Sequence, residues 1–366
     1  MTPPRINVSS FLLVLLFSSV CHGLVETCED LQVAFDLTKT QDVVVEMHPF
    51  QDIVCNNFTT MAMDSNTLTV KSSEDLSTFS GFSSLREIRF EVTNGATLSW
   101  ETNVEFFGTN LQDVNGGGVF VGEGSTVRFL NDLSMADVGV LSVTEESSDF
   151  ASYQLSGGCV YTDGYFRVDG DATFTRCEVK GGGESSPGPG GALYVGPQGS
   201  VLFNGALEIS DVSITDDEGN NGGGVYNEGK VNIKGSATFD LLRAESGGAI
   251  YNAAGAQFTF RNKATALFIY CTAADGIAGA LFNGGYFKFS GPAVFVNSND
   301  PSIYVSSTGE TVISEKSVFF DNEDTSNPAI LVSSGGVLDI PSSVTFIDDE
   351  DTQCTTVYYE EDGTCL

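Results

Sequence analysis

The sequence predicts an all-β fold, a right-handed parallel β-helix of about ten to twelve coils with a short N-terminal capping helix. Three observations carry this: a glycine motif returning at solenoid spacing, short runs with apolar residues two apart, and abundant Gly and Phe with little helical patterning. The motif reads GGGVFV from Gly116, GGCVYT from Gly157, GGALYV from Gly190, GGGVYN from Gly222, GGAIYN from Gly247 and AGALFN from Ala278. Taking the last glycine before each apolar triplet (Gly118, Gly158, Gly191, Gly224, Gly248, Gly279) gives steps of 40, 33, 33, 24 and 31 residues. PSIYV from Pro301 and PAILV from Pro328 continue the series with proline in place of glycine.

The elements follow in order. Arg5, the apolar run Phe11 to Phe17 and the small residues up to Gly23 have the layout of a secretion signal, residues 1–23. Residues 24–41 form an N-terminal cap: Thr27 and Asp30 make a capping box, and Leu31, Ala34, Phe35 and Thr38 recur at helical spacing, so a short amphipathic helix should plug the first coil. The β-helix domain spans 42–347, opening with DVVVEM from Asp42 and NTLTVKSS from Asn66.

Each motif copy continues into a second apolar run, such as SVLFNG from Ser200 or AQFTFRN from Ala256, and often a third, such as ATFDLL from Ala237. Three strands per coil make a three-sided tube. Val231 with Ile233, and Phe258 with Phe260, should point inward and stack coil on coil, with interior ladders of phenylalanine. Phenylalanine is abundant while tryptophan, too bulky for so narrow an interior, is nearly absent, and the doubled glycines should mark corners of close approach or positive φ. Asn131, Asn262, Asn297 and Asn322, each two residues after a phenylalanine, should take left-handed corners. Residues 348–366 form an acidic, disulfide-closed C-terminal cap covering the last strand edges.

Forty-nine acidic against 16 basic residues give a net charge of −33, with acids spread along the chain and bases sparse and unclustered. Nucleic acid and anionic membranes are excluded as partners on charge, and no apolar run is long enough for a membrane span. Extracellular polysaccharide, matrix or cationic surfaces remain. Short-range pairing of the cysteines suggests Cys28 with Cys55, Cys159 with Cys177, and Cys354 with Cys365, and leaves Cys271 as a buried small hydrophobe. Asn57 heads the one glycosylation sequon outside the signal segment.

At the glycine motif, from about Gly116 to Phe346, the chain resembles the GGA[ILV] and FxxN repeats of polymorphic outer-membrane autotransporter passengers, and secreted pectate-lyase-like β-helix proteins more generally. GGAI occurs verbatim at Gly247, whereas only Phe107 to Asn110 and Phe319 to Asn322 fit FxxN. The resemblance implies the fold, extracellular exposure and, by analogy, adhesion; no C-terminal membrane barrel follows, so autotransport is not implied.

Many proteins of this fold cleave polysaccharides, so catalysis is weighed on residues. The clustered aspartates, Gly-His-Gly and RxK of the inverting hydrolases are missing; Asp216 and Asp217, with Glu218, are the nearest acid pair, in a turn-rich insertion. His48 has no visible catalytic partner, and Arg167, Arg176, Arg243 and Arg261 read as outward, solubilising residues. No cofactor is implied; Asp348, Asp349 and Asp351 offer at most weak calcium binding. The expectation is a non-enzymatic structural or adhesive β-helix protein of a wall, coat or matrix, the alternative a polysaccharide hydrolase or lyase or its degenerate relative.

Overall fold

A computed structural model describes residues 21–48, 50–72, 82–112, 114–141, 155–180, 189–213, 221–274, 277–298, 301–320, 328–347, 357–361 and 363–365. The chain is a parallel β-helix solenoid. One sheet holds twelve strands, from Cys21–Val25 to Val337–Asp339, paired parallel throughout. At the strand spacing of a β-ladder this makes a rod about 50 Å long.

Two further ladders build the tube, and a short three-stranded parallel sheet (Asn110–Gln112, Gly139–Leu141, Glu178–Lys180) follows the third face in three of the coils. The glycine face stacks Val119–Val121, Val160–Thr162, Leu193–Val195, Val225–Asn227, Ile250–Asn252, Leu281–Asn283, Ile303–Val305 and Ile330–Val332. The third face stacks Val104–Phe107 through Thr345–Ile347. The two faces join where the long strand Ser83–Val92 pairs at its start with Val104–Phe107 and at its end with Val119–Val121.

Alternation sets what is inside. Val231, Ile233, Phe258 and Phe260 are all buried. Phe239, Phe268, Phe295, Phe319 and Phe346 form a continuous ring stack at 4.9, 4.7, 4.6 and 5.0 Å between centroids. Each such pair adds about 0.5–1.5 kcal/mol beyond area burial. Trp100 departs from expectation: it is fully buried, because near the helix plug the interior takes a larger ring, stacked on Phe90 at 5.5 Å, and its Nε1 donates to Thr102 Oγ1 at 2.6 Å.

Backbone register corrects the motif alignment. Gly117 N donates to Gly158 O and Gly158 N to Gly191 O, so the column is Gly117, Gly158, Gly191, Gly223, Gly248 and Gly279. Gly118 and Gly224 lie one place on, and the true steps are 41, 33, 32, 25 and 31 residues. The residue before each column member is left-handed: Gly116, Gly157, Gly190, Gly222 and Gly247 have φ between 61° and 78°, and Ala278 takes the same turn at 84°.

Both ends are covered. The helix Cys28–Leu37 has the full Thr27–Asp30 capping box, buries Leu31, Ala34 and Phe35, and stacks Phe35 on Phe90 at 5.1 Å. Cys28 is bonded to Cys55, tying the plug to the strand Asp52–Met63. At the other end Val357–Tyr359 lies on Ile330–Val332 and turns back antiparallel, Tyr358 opposite Cys365. Cys354 and the candidate calcium ligands Asp348, Asp349 and Asp351 lie outside the described residues. Cys159 is bonded to Cys177, and Cys271 is free and buried. Two disulfides mark an oxidising, non-cytosolic environment. No helix among the described residues is long and apolar enough to cross a membrane.

Candidate functional site

The three-residue strands of the glycine face bury their first and last side chains and turn the middle one outward. That middle position is Phe120, Tyr161, Tyr194, Tyr226, Tyr251, Phe282 and Tyr304 on seven successive coils. Centroids are 5.0, 4.8, 5.5, 5.0, 4.3 and 5.3 Å apart, and the first six rings lie within 12° of parallel from neighbour to neighbour. The coil rise imposes this spacing, close to the optimum for stacked rings. Arg89, almost fully buried, closes the upper end with its guanidinium 5.4 Å from the Phe120 centroid and its Nε donating to Gly116 O. Burial lowers its pKa and hydrogen bonding to Glu91 opposes the shift.

Carboxylates flank the phenols. Tyr194 donates to Glu228 Oε2 at 2.6 Å, Tyr226 reaches Glu228 Oε1 at 3.5 Å, and Tyr161 donates to Asp163 Oδ2 at 2.9 Å. The other oxygen of Asp163 is buried without a hydrogen-bond partner. Burial first, then these carboxylates, pushes the phenols of Tyr161, Tyr194 and Tyr226 far above their ordinary value, so they are neutral donors at physiological pH. An open cleft of about 260 Å³ sits over the three rings, with Asn115, Ser156, Pro189 and Glu228 around it.

This geometry limits the chemistry. Face-to-face stacking leaves each ring face to its neighbours, so the ladder presents ring edges at a repeat near 5 Å, four consecutive hydroxyls from Tyr161 to Tyr251, and two carboxylates, Asp163 and Glu228, beside them. It suits hydrogen bonding to a hydroxyl-rich or repeating ligand better than stacking of a flat one.

Asp216, Asp217 and Glu218 lie outside the described residues. Asn57 lies on the strand Asp52–Met63 where its register against Ser83–Val92 slips, between Val54 and Thr59. His48 is half-buried, and its carbonyl accepts from Gln51 N and Ser83 Oγ. Arg167 pairs with Asp169, and Arg176 with Asp137 through two hydrogen bonds. Among the described residues no three His, Cys, Asp or Glu side chains converge as a metal site.

Besides the tyrosine ladder, two further features escaped sequence reasoning. Lys230 and Lys288 face outward on the twelve-strand sheet, and Lys234, Arg261, Lys263 and Lys316 follow at its trailing corner, so these six of the sixteen bases share one side of the tube. From Thr97–Trp100 to Tyr286–Phe289 that face carries no carboxylate. The second is an amide ladder inside the tube: Asn227 Nδ2 donates to Asn252 Oδ1, Asn252 Nδ2 to Asn283 Oδ1, and Asn283 Nδ2 to Thr311 Oγ1, all at 2.7–2.8 Å. The corner asparagines differ among themselves: Asn262 and Asn297 are left-handed, Asn131 instead donates to the Glu101 carbonyl, and Asn322 lies outside the described residues.

Compared with known proteins, the chain matches no family model, no curated protein and no solved structure.

Proposed function

We propose that the chain is a secreted, non-enzymatic rod of a wall, coat or matrix, which adheres to hydroxyl-rich polysaccharide along its tyrosine–carboxylate ladder. The observation that carries this reading is the repetition of one outward aromatic position on seven consecutive coils, with neutral phenols and Glu228 at its centre. A site for one small substrate needs a single constellation, whereas a row repeating every 5 Å or so matches a polymer that repeats. The same residues supply what sugar hydroxyls need: carboxylate and phenol oxygens with acceptor capacity to spare, oriented by the bonds that Tyr161 and Tyr194 donate to Asp163 and Glu228.

The test is retention of the purified full-length chain on a polysaccharide array, with released sugars read in parallel. Retention without release, weakened in a Glu228→Gln, Tyr194→Phe double variant, is the expected result. Release of sugar, or retention indifferent to that variant, overturns the proposal.

A further inference from the structure

The cleft over Tyr161, Tyr194 and Tyr226 is one-sided in its hydrogen bonding. The protons of Tyr161 and Tyr194 are committed to Asp163 and Glu228, and Asn115 Oδ1 accepts from Ser156 N. What the phenols and carboxylates keep to spare is acceptor capacity, so the ligand that fits must bring donors.

Charge sets a second, independent condition. Among the described residues no base lines the cleft, and Glu228 bonds to the phenols of Tyr194 and Tyr226 without forming an ion pair. Lys230, two residues on, turns outward on the twelve-strand sheet. Asp163 N donates to Val121 O, Gly196 N to Thr162 O and Glu228 N to Val195 O, so Asp163, Gly196 and Glu228 share one corner position on successive coils. Gly196 leaves the room that the Asp163 carboxylate fills, because a Cβ there would collide with Asp163 Oδ1. That oxygen is buried without a hydrogen-bond partner, so it supplies charge to the row and not contact.

We propose that the polymer held along the ladder is an amino-sugar polysaccharide in its deacetylated form, with a protonated amine set against Glu228. The inference rests on polysaccharide adhesion and names its substrate class. An ammonium brings three donors and no acceptor, and its hydrogen bonds to a carboxylate are roughly twice as strong as neutral ones. The net charge of −33 draws such a chain in and repels a uronate or sulfated one. An N-acetyl group would instead set a carbonyl acceptor against oxygens that themselves accept.

Isothermal titration calorimetry of the full-length chain tests this with hexamers of glucosamine, N-acetylglucosamine and glucose that share one linkage, at a mildly acidic pH that keeps the amine protonated. The glucosamine hexamer should bind at least about tenfold more tightly than the other two, and raising NaCl from about 20 mM to about 0.5 M should remove most of that margin. Glu228→Gln should abolish the margin with the far-ultraviolet spectrum preserved. Glu208→Gln, at an exposed carboxylate on the third face, should keep it, which separates the cleft from the general acidity of the chain. A margin that survives Glu228→Gln, or falls equally in both variants, overturns the proposal. Equal or tighter binding of either neutral hexamer also overturns it and leaves polysaccharide adhesion standing, whereas binding of none of the three overturns both. A lysine hexapeptide that matches the glucosamine hexamer and is equally weakened by Glu228→Gln overturns the sugar and assigns the cleft to cationic chains of any backbone.

Discussion

Gly158 lies against the carbonyl of Gly191 on the next coil: its amide donates to that oxygen at 2.9 Å, and a Cβ on Gly158 would stand 2.3 Å from it and 2.7 Å from Glu178 O. Both obstacles are backbone of the ladder itself, so neither yields without opening the coil. Gly158→Ala should cost about 3 kcal/mol or more, at the upper end of overpacking penalties. Gly124→Ala provides the contrast, because that glycine has φ 72° but nothing within 4 Å of a Cβ, leaving a backbone cost of about 1 kcal/mol. Urea midpoints of the two variants should separate clearly; equal losses would mean that the close approach at Gly158 relaxes at little cost.

The interior amide ladder yields a second expectation. Asn252 accepts from Asn227 and donates to Asn283 Oδ1 and, at 3.2 Å, to the Tyr286 carbonyl. Asn252→Leu strands those buried groups and should destabilise the chain by about 2 kcal/mol. Asn252→Thr keeps a hydroxyl in the column, as Thr162 does two coils above Asn227, and should lose less. Thermal unfolding of both variants decides it; if Leu and Thr fall equally, the ladder contributes shape and not hydrogen bonding.

Alkaline titration addresses the tyrosine ladder. The folded pKa values of Tyr161, Tyr194 and Tyr226 are raised above the unfolded value near 10, chiefly by burial. The stability they contribute is therefore complete below about pH 10 and is lost as pH climbs from there towards the folded values. Tyrosinate absorbance from these three rings should appear only together with loss of the folded circular-dichroism signal. Ionisation of all tyrosines near pH 10 with the fold intact would mean that the phenols are freely hydrated.

Sequence and structure agree where a local signal sufficed. The capping box at Thr27, the buried faces of Phe258 and Phe260, and the pairings of Cys28 with Cys55 and Cys159 with Cys177 needed only spacing within one coil. The missing parts depend on register between coils. Tyr161 and Tyr226 are 65 residues apart in a chain whose insertions vary, so nothing local reveals that their rings lie two coils apart on one line. The triplets VYT, LYV and VYN were legible as apolar strands, but their middle residue was the outward one. Asn252 and Asn283 were visible in GGAIYN and AGALFN, yet their burial follows from the inward turn of the last strand residue. Lys230, Arg261 and Lys288 are far apart in the chain, and only winding brings them to one side.

The parallel ladders also determine how the rod would respond to pulling. Every coil-to-coil backbone bond runs along the long axis, so tension between the ends loads the bonds at the outermost coil first, and coils should peel away one after another. Within the coil that contains Cys159 and Cys177, 18 residues apart, the covalent bridge shortens the chain length that peeling can release. Under force the molecule is thus a sequence of small yielding steps, clamped at the plug by Cys28–Cys55 and further down by Cys159–Cys177, a mechanical fuse instead of a rigid strut.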